Sequence, residues 1–184
     1  TVKREKPSLE TGINGTWMLI VVSTQSITVL GMLVASRFNG WKDGFIFSMI
    51  CFYLVGCMFY ILLISLILYR FVFFKIDPKD MTPPYWINMG AVAITTLAGA
   101  NILLKADAAF FGELVPFIKG FTLFFWAAGT WWIPLLFLLG IWRHIYHRYP
   151  LAYNPQYWGM VFPLGMYTAC TYQLSRVLQL PFLL

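Results

Sequence analysis

Five stretches of this sequence stay predominantly apolar for twenty residues or more: 16–36, 45–74, 85–104, 117–142 and 157–178. A helix needs roughly 20 such residues to cross the hydrocarbon core of a bilayer. A soluble chain of 184 residues would instead spread its apolar positions at helical or strand period around one core. The breaks between the runs carry residues that end helices: Asn39-Gly40, Asp77-Pro78 and Pro83-Pro84, then Pro116 and Gly120, then Tyr149-Pro150 and Asn154-Pro155. Membrane-barrel strands would alternate over about ten residues, and these runs are continuous. The predicted class is therefore an all-α integral membrane protein with five transmembrane helices, a multi-pass resident of the cell membrane (inner or plasma membrane) in contact with lipid. Charged residues make up only 11% of the chain, against about 25% in a soluble domain.

Residues 1–15 form a polar N-terminal segment without the apolar core of a signal peptide. The chain begins at Thr1 and stops in LQLPFLL, which suggests a piece of a longer protein. Cys51, Cys57 and Cys170 all lie inside apolar runs and match neither a disulfide framework nor a metal motif. They read as packed thiols. The net charge of +6 does not indicate nucleic acid, because the basic residues sit between the runs and not in an aromatic-interleaved basic cluster. Lys3, Arg4, Lys6, Arg70, Lys75, Lys79, Arg143 and Arg148 fall on one side of the membrane, and Arg37, Lys42, Lys105, Lys119 and Arg176 on the other. The excess of positive charge places the N-terminal segment in the cytoplasm. Trp17, Trp41, Trp86, Trp142 and Trp158 sit near run ends, as interfacial aromatic belts do.

The runs differ in polarity. The second and fourth are bulky and apolar all round, as lipid-facing helices are; the fourth contains Pro134, which should kink it. The first holds Ser23, Thr24, Gln25, Ser26 and Thr28 near its middle. The third is rich in Gly and Ala and sets Asn88, Thr95 and Gly99 close to one face, with Thr96 and Asn101 beside it. The fifth places Thr168, Thr171 and Ser175 at helical spacing, with Gly159 and Gly165. Two readings stand side by side. Small and hydroxylated residues let membrane helices pack closely and bond across the contact. Alternatively, the first, third and fifth helices line a polar path, with Ser23, Gln25, Thr28, Asn88, Thr95, Gly99, Thr168 and Thr171 as its candidate lining.

Such a path has no titratable group at the centre of a span. All seven acidic residues lie outside the apolar middles, and His144 and His147 lie beyond the fourth run. There is no proton relay and no intramembrane histidine pair for haem, so no cofactor and no metal are expected. Hydroxyls, amides and glycine-exposed backbone suit a weakly held anion. Arg176, near the outer end of the last helix, is either a snorkelling anchor or an anion-attracting mouth residue. In YWGMVFPLGMYTAC, Pro163 has no N–H for Gly159, so the helix should kink or open there. Proline also biases Phe162 away from helical geometry. Phe162 is then either an aromatic plug that gates a pore by excluding water or a ring packed between helices.

The segments TWMLIVVSTQSITVLG, PPYWINMGAVAIT, FWAAGTWWIPLLFLLGIWRH and YPLAYNPQYWGMVFPLGMYTA resemble the tellurite-resistance and dicarboxylate transporter family. Its relatives include the slow anion channels of plant guard cells, the yeast malate permease and the fungal sulfite pump. The resemblance runs from about Thr16 to Arg176. It implies ten helices in five hairpins, odd helices around a central pore and even helices outside, with the five runs here as helices five to nine. It also implies homotrimers, and a phenylalanine on the ninth helix that occludes the pore, which Phe162 resembles. Many relatives have proline in the first segment where this chain has Ser23-Thr24-Gln25, which leaves a kink there in doubt. The expected function is transport of small inorganic or organic anions through a central pore. The alternatives are proton-coupled movement of C4-dicarboxylate, sulfite or tellurite, and a membrane-embedded enzyme or non-transporting assembly subunit.

Overall fold

Each apolar run becomes one long helix in the computed structural model, which describes residues 8–38, 40–105 and 109–183. Helix α1 spans Leu19–Val34, entered through a 3-10 turn at Gly15–Met18 that the Asn14 side chain caps by accepting the Thr16 N–H at 2.9 Å. Helix α2 spans Lys42–Phe73, α3 Ile87–Lys105, α4 Val115–Ile141 and α5 Trp158–Leu178. Pro83 and Pro84 open the 3-10 turn that leads into α3, where a missing N–H costs nothing. Four segments, Gly15–Arg37, Lys42–Phe73, Pro83–Lys105 and Phe110–Tyr146, are long and apolar enough to cross a membrane. The 21 residues of α5 would rise about 31 Å, but Pro163, Gln173 and Arg176 lower its apolar content.

Helix α3 is the axis on which the others pack: α1, α4 and α5 lie along it, and α2 touches it less. From Asn88 to Ile102 every residue except Leu97 is buried. Glycine and alanine make this possible by letting backbones approach closely. A Cβ at Gly99 would stand 2.1 Å from the Thr122 hydroxyl of α4 and 2.9 Å from the Tyr53 hydroxyl of α2. The outer helices bury narrow stripes. In α2 the stripe runs Ile46, Met49, Ile50, Tyr53, Gly56, Cys57, Tyr60, Leu63, Ile67, the three- and four-residue spacing of one helical face. The remaining faces carry exposed Phe47, Phe52, Leu62, Val72 and Phe73, which suits lipid. Polar bonds cross the apolar contacts: Trp132 Nε1 donates to the Tyr60 hydroxyl at 2.9 Å, and the Tyr53 and Thr122 hydroxyls pair at 3.2 Å.

Three expectations need correction. Arg70, counted above with the loop charges, lies inside α2 and is buried. Its guanidinium donates to the Ile13 carbonyl at 3.1 Å, to the Tyr85 hydroxyl, and to Asp80 at 3.5 Å. It thereby ties the N-terminal stretch, the end of α2 and the start of α3 into one end of the bundle. The packed-thiol reading fits Cys57 and Cys170, but Cys51 is exposed on α2. Finally, the helix does not open at Phe162: α5 is continuous from Trp158 to Leu178. Pro163 falls in the second turn, so only the bond to Gly159 is forfeited, and the 3-10 turn at Pro155–Tyr157 already fixes the start. Pro134 likewise sits within an unbroken α4. The charges at Lys3, Glu5, Arg4, Lys6 and Asp107, and Asn39 of the first turn, lie outside the described residues.

Between α2 and α3 the chain turns at Asp77, whose carboxylate accepts the Lys79 N–H at 3.0 Å and pairs with its ammonium at 3.2 Å. That backbone N–H is the main reason the Asp77 carboxyl is held below its ordinary pKa.

Candidate functional site

The sequence singled out α1, α3 and α5 by their polar and small residues, and the structure sorts those residues into two groups. The first group sits in contacts between helices. Gln25 is fully buried, and its Nε2 donates to the Tyr53 carbonyl of α2 at 3.1 Å. Gly56 makes room for it, since a Cβ there would lie 2.4 Å from that nitrogen. The Thr28 hydroxyl donates to the Met49 carbonyl at 3.3 Å. Thr95 is buried and donates to its own helix at the Ala91 carbonyl, 2.7 Å away. Gly99 meets α2 and α4, as described. Thr171 accepts from Trp126 Nε1 at 2.9 Å and so joins α5 to α4. Asn88 is fully buried with neither amide atom hydrogen-bonded.

The second group faces away from the contacts. Ser23 is exposed on α1, its hydroxyl donating to the Leu19 carbonyl at 2.8 Å. Thr168 is exposed on α5 and donates to the Leu164 carbonyl at 3.2 Å. Hydroxyls engaged this way keep lone pairs, and rotation frees the proton for a passing partner.

Helix α5 presents the sharpest local arrangement. Its buried set is small: Pro163, Cys170, Leu174 and Ser175. The Pro163 ring rests on Gly90 of α3, where an added Cβ would come within 3.0 Å of the ring. This seat fixes the rotation of α5 about its own axis. A residue adjacent in a helix is turned by about 100°, so Phe162 is carried off the α3 contact and stands 45% exposed. Gly159 lies one turn before Pro163, and no atom lies within 4 Å of where its Cβ would be. Continuing from Phe162 at helical spacing, Ala169, Gln173 and Arg176 share its side of α5. The Gln173 Oε1 is enclosed without a hydrogen-bond partner, and Arg176 is exposed. Gln173 was missed in the sequence, where the polar lining sought on the fifth run was its hydroxyls and glycines although amides were weighed on the first and third; its spacing of eleven from Phe162 was the available signal.

The structure thus seats Pro163 of α5 on Gly90 of α3, leaves Phe162 and Thr168 exposed on different sides of α5, and leaves Gly159 with no neighbour within 4 Å of its would-be Cβ. It places Gln25 and Thr28 against α2, and turns Gly99 toward α2 and α4. Among the described residues no group of three or more metal-ligating side chains gathers.

The whole chain, residues 1–184, matches the family described as voltage-dependent anion channel. An uncharacterised membrane protein of Mycobacterium tuberculosis is 44% identical over 122 residues, 66% of this chain and 62% of the relative. An uncharacterised transporter of Methanocaldococcus jannaschii is 25% identical over 166 residues, 90% of this chain and 47% of the relative. The chain therefore spans about three-fifths of the mycobacterial protein and about half of the archaeal one. No solved structure matches.

Proposed function

Because this chain belongs to the voltage-dependent anion channel family, we propose that it contributes five membrane crossings, α1 to α5, to a pore that conducts small anions. The N-terminal segment is cytoplasmic in this reading, and α1, α3 and α5 are the inward helices of a ten-helix, trimer-forming fold. Phe162 narrows the path, with Ser23 and Thr168 as hydroxyls exposed toward it. The observation that carries the reading is the pairing of Pro163 with Gly90. It holds α5 in a fixed rotation and projects a large apolar ring away from the bundle, as a hydrophobic gate requires. The polar and small residues at helix contacts, Gln25, Thr28, Gly99 and the half-buried Thr171 among them, hold the helices at the spacing this demands.

The test is conductance of the full-length protein in a planar bilayer with chloride and nitrate. Phe162→Ala should raise it, on the order of tenfold if the ring dewets the narrowest point. Unchanged conductance at equal protein incorporation rejects the gate. Current that vanishes without a proton gradient would replace the channel by a proton-coupled carrier.

A further inference from the structure

The end of the bundle where Arg70 is anchored also contains a cavity of about 400 Å³ between the start of α3, the end of α4 and the segment leading to α5. Its walls are mostly apolar, with Met81, Leu136, Phe137 and Met160 among them. Trp86 and Tyr157 stand at it too, side chains of the kind that mark the level of lipid headgroups. Among the described residues that line this apolar space, Arg143 is the one arginine or lysine, and the imidazole of His144 stands beside it.

Arg143 is held there by an unusual piece of backbone. After Ile141 the α-helix widens into a turn of π-helix at Trp142–Tyr146, with the His147 N–H reaching back to the Trp142 carbonyl at 3.0 Å. Such widened turns are rare and recur at functional sites. Here the turn carries Arg143 inward, leaving it only 8% exposed. One terminal nitrogen donates to the Met81 carbonyl, the guanidinium lies over the Tyr149 ring at 4.3 Å, and Nε has no partner. Among the described residues no carboxylate forms an ion pair with it. A buried guanidinium without a counter-charge is costly, and an anion brought to it relieves that cost. The polar and apolar features call for one molecule with an anionic head and a hydrocarbon body. A small hydrated anion would leave the apolar walls unfilled.

We propose that this cavity is a binding site for an anionic phospholipid, with its headgroup phosphate on Arg143 and part of an acyl chain between the turn that leads into α3 and the end of α4. The site is separate from the exposed face of α5 and does not depend on the identity of the transported ion. Arg143 completes its charge balance only with lipid bound, so the lipid also fixes the joint between α4 and the segment before α5.

Full-length protein, equilibrated in micelles with dioleoylphosphatidylglycerol or dioleoylphosphatidylcholine, is measured by native mass spectrometry. The expected result is phosphatidylglycerol retained at one molecule per chain, favoured over phosphatidylcholine by about fivefold or more, as expected for one basic residue facing an anionic headgroup. Arg143→Gln should abolish the preference. Gly140→Phe provides a second variant, because Gly140 lines the cavity and an added Cβ there meets nothing within 4 Å. It should fill the space and lower retention of both lipids while the protein stays folded. Equal retention of the two lipids, wild-type retention in a folded Gly140→Phe protein, or no retained lipid would each overturn the proposal. So would displacement of phosphatidylglycerol by inorganic phosphate, which would make the site one for a free anion.

Discussion

Helices α3 and α5 share one trait in sequence, each a membrane-length stretch that carries two glycines and two threonines, yet the bundle uses them in opposite ways. Helix α3 is enclosed by its neighbours along almost its whole length, and its small residues are the places where other helices touch it. Helix α5 buries four residues and leaves Phe162, Gly165, Thr168 and Tyr172 facing outward. The lesson is that a glycine or threonine in a membrane helix does not by itself say whether a neighbouring helix or open space lies beside it. Space around the Cβ makes the distinction. At Gly99 there is none; at Gly159 and Gly165 nothing lies within 4 Å.

Substitutions can break this contrast or sharpen it. Gly99→Val is the most severe, since its Cβ would collide with Thr122 and Tyr53 and force α3 from both neighbours. It should cost about 3 kcal/mol, read as a lowered thermal midpoint of the purified protein in detergent. A wild-type midpoint would show that α3 is less tightly enclosed than described. Gly90→Ala acts at the seam between the two helices. Its Cβ meets the Pro163 ring at 3.0 Å, so a cost of about 1 kcal/mol is expected, together with altered conductance if the seat of Pro163 sets the position of Phe162. Loss of stability with unchanged conductance would detach the seat from the gate. On α5 itself, Thr171→Val removes the acceptor for Trp126 and should cost about 0.6 kcal/mol. Thr168→Val, three residues earlier on the open side, should move the midpoint by no more than an equivalent of about 0.5 kcal/mol. Equal effects at the two threonines would mean that α5 has no distinct open face.

The helices themselves were legible because hydropathy and length suffice to place them, and the breakers at Asp77-Pro78 and Pro83-Pro84 mark their ends. Which polar residues bond across contacts was not legible. Gln25 finds the Tyr53 carbonyl 28 positions away, and only the rotation of α1 against α2 decides that, a property no run of residues encodes locally. Arg70 was misplaced because a charge near the end of an apolar run normally reaches for water. Here three acceptors from other segments are available, and burial follows. At Phe162 the residue type and the adjacent proline were visible, but the outward turn of the ring depends on Gly90, 72 residues earlier. The unwinding expected at Pro163 failed for a local reason: proline so near a helix start removes one bond and leaves the rest intact.

The anchoring of Arg70 bears on how the protein is made. A ribosome delivers α1 and most of α2 to the membrane while Asp80 and Tyr85 are still inside its exit tunnel, so for that interval the guanidinium has only the Ile13 carbonyl and lipid headgroups or water to turn to. Hairpin-by-hairpin insertion therefore leaves the first pair unfinished. The side chain can settle only once the start of α3 reaches it. A nascent chain stalled with position 70 outside the ribosome and α3 still in the exit tunnel should leave an introduced Arg70→Cys thiol open to aqueous labelling, and one stalled after α3 has emerged should protect it.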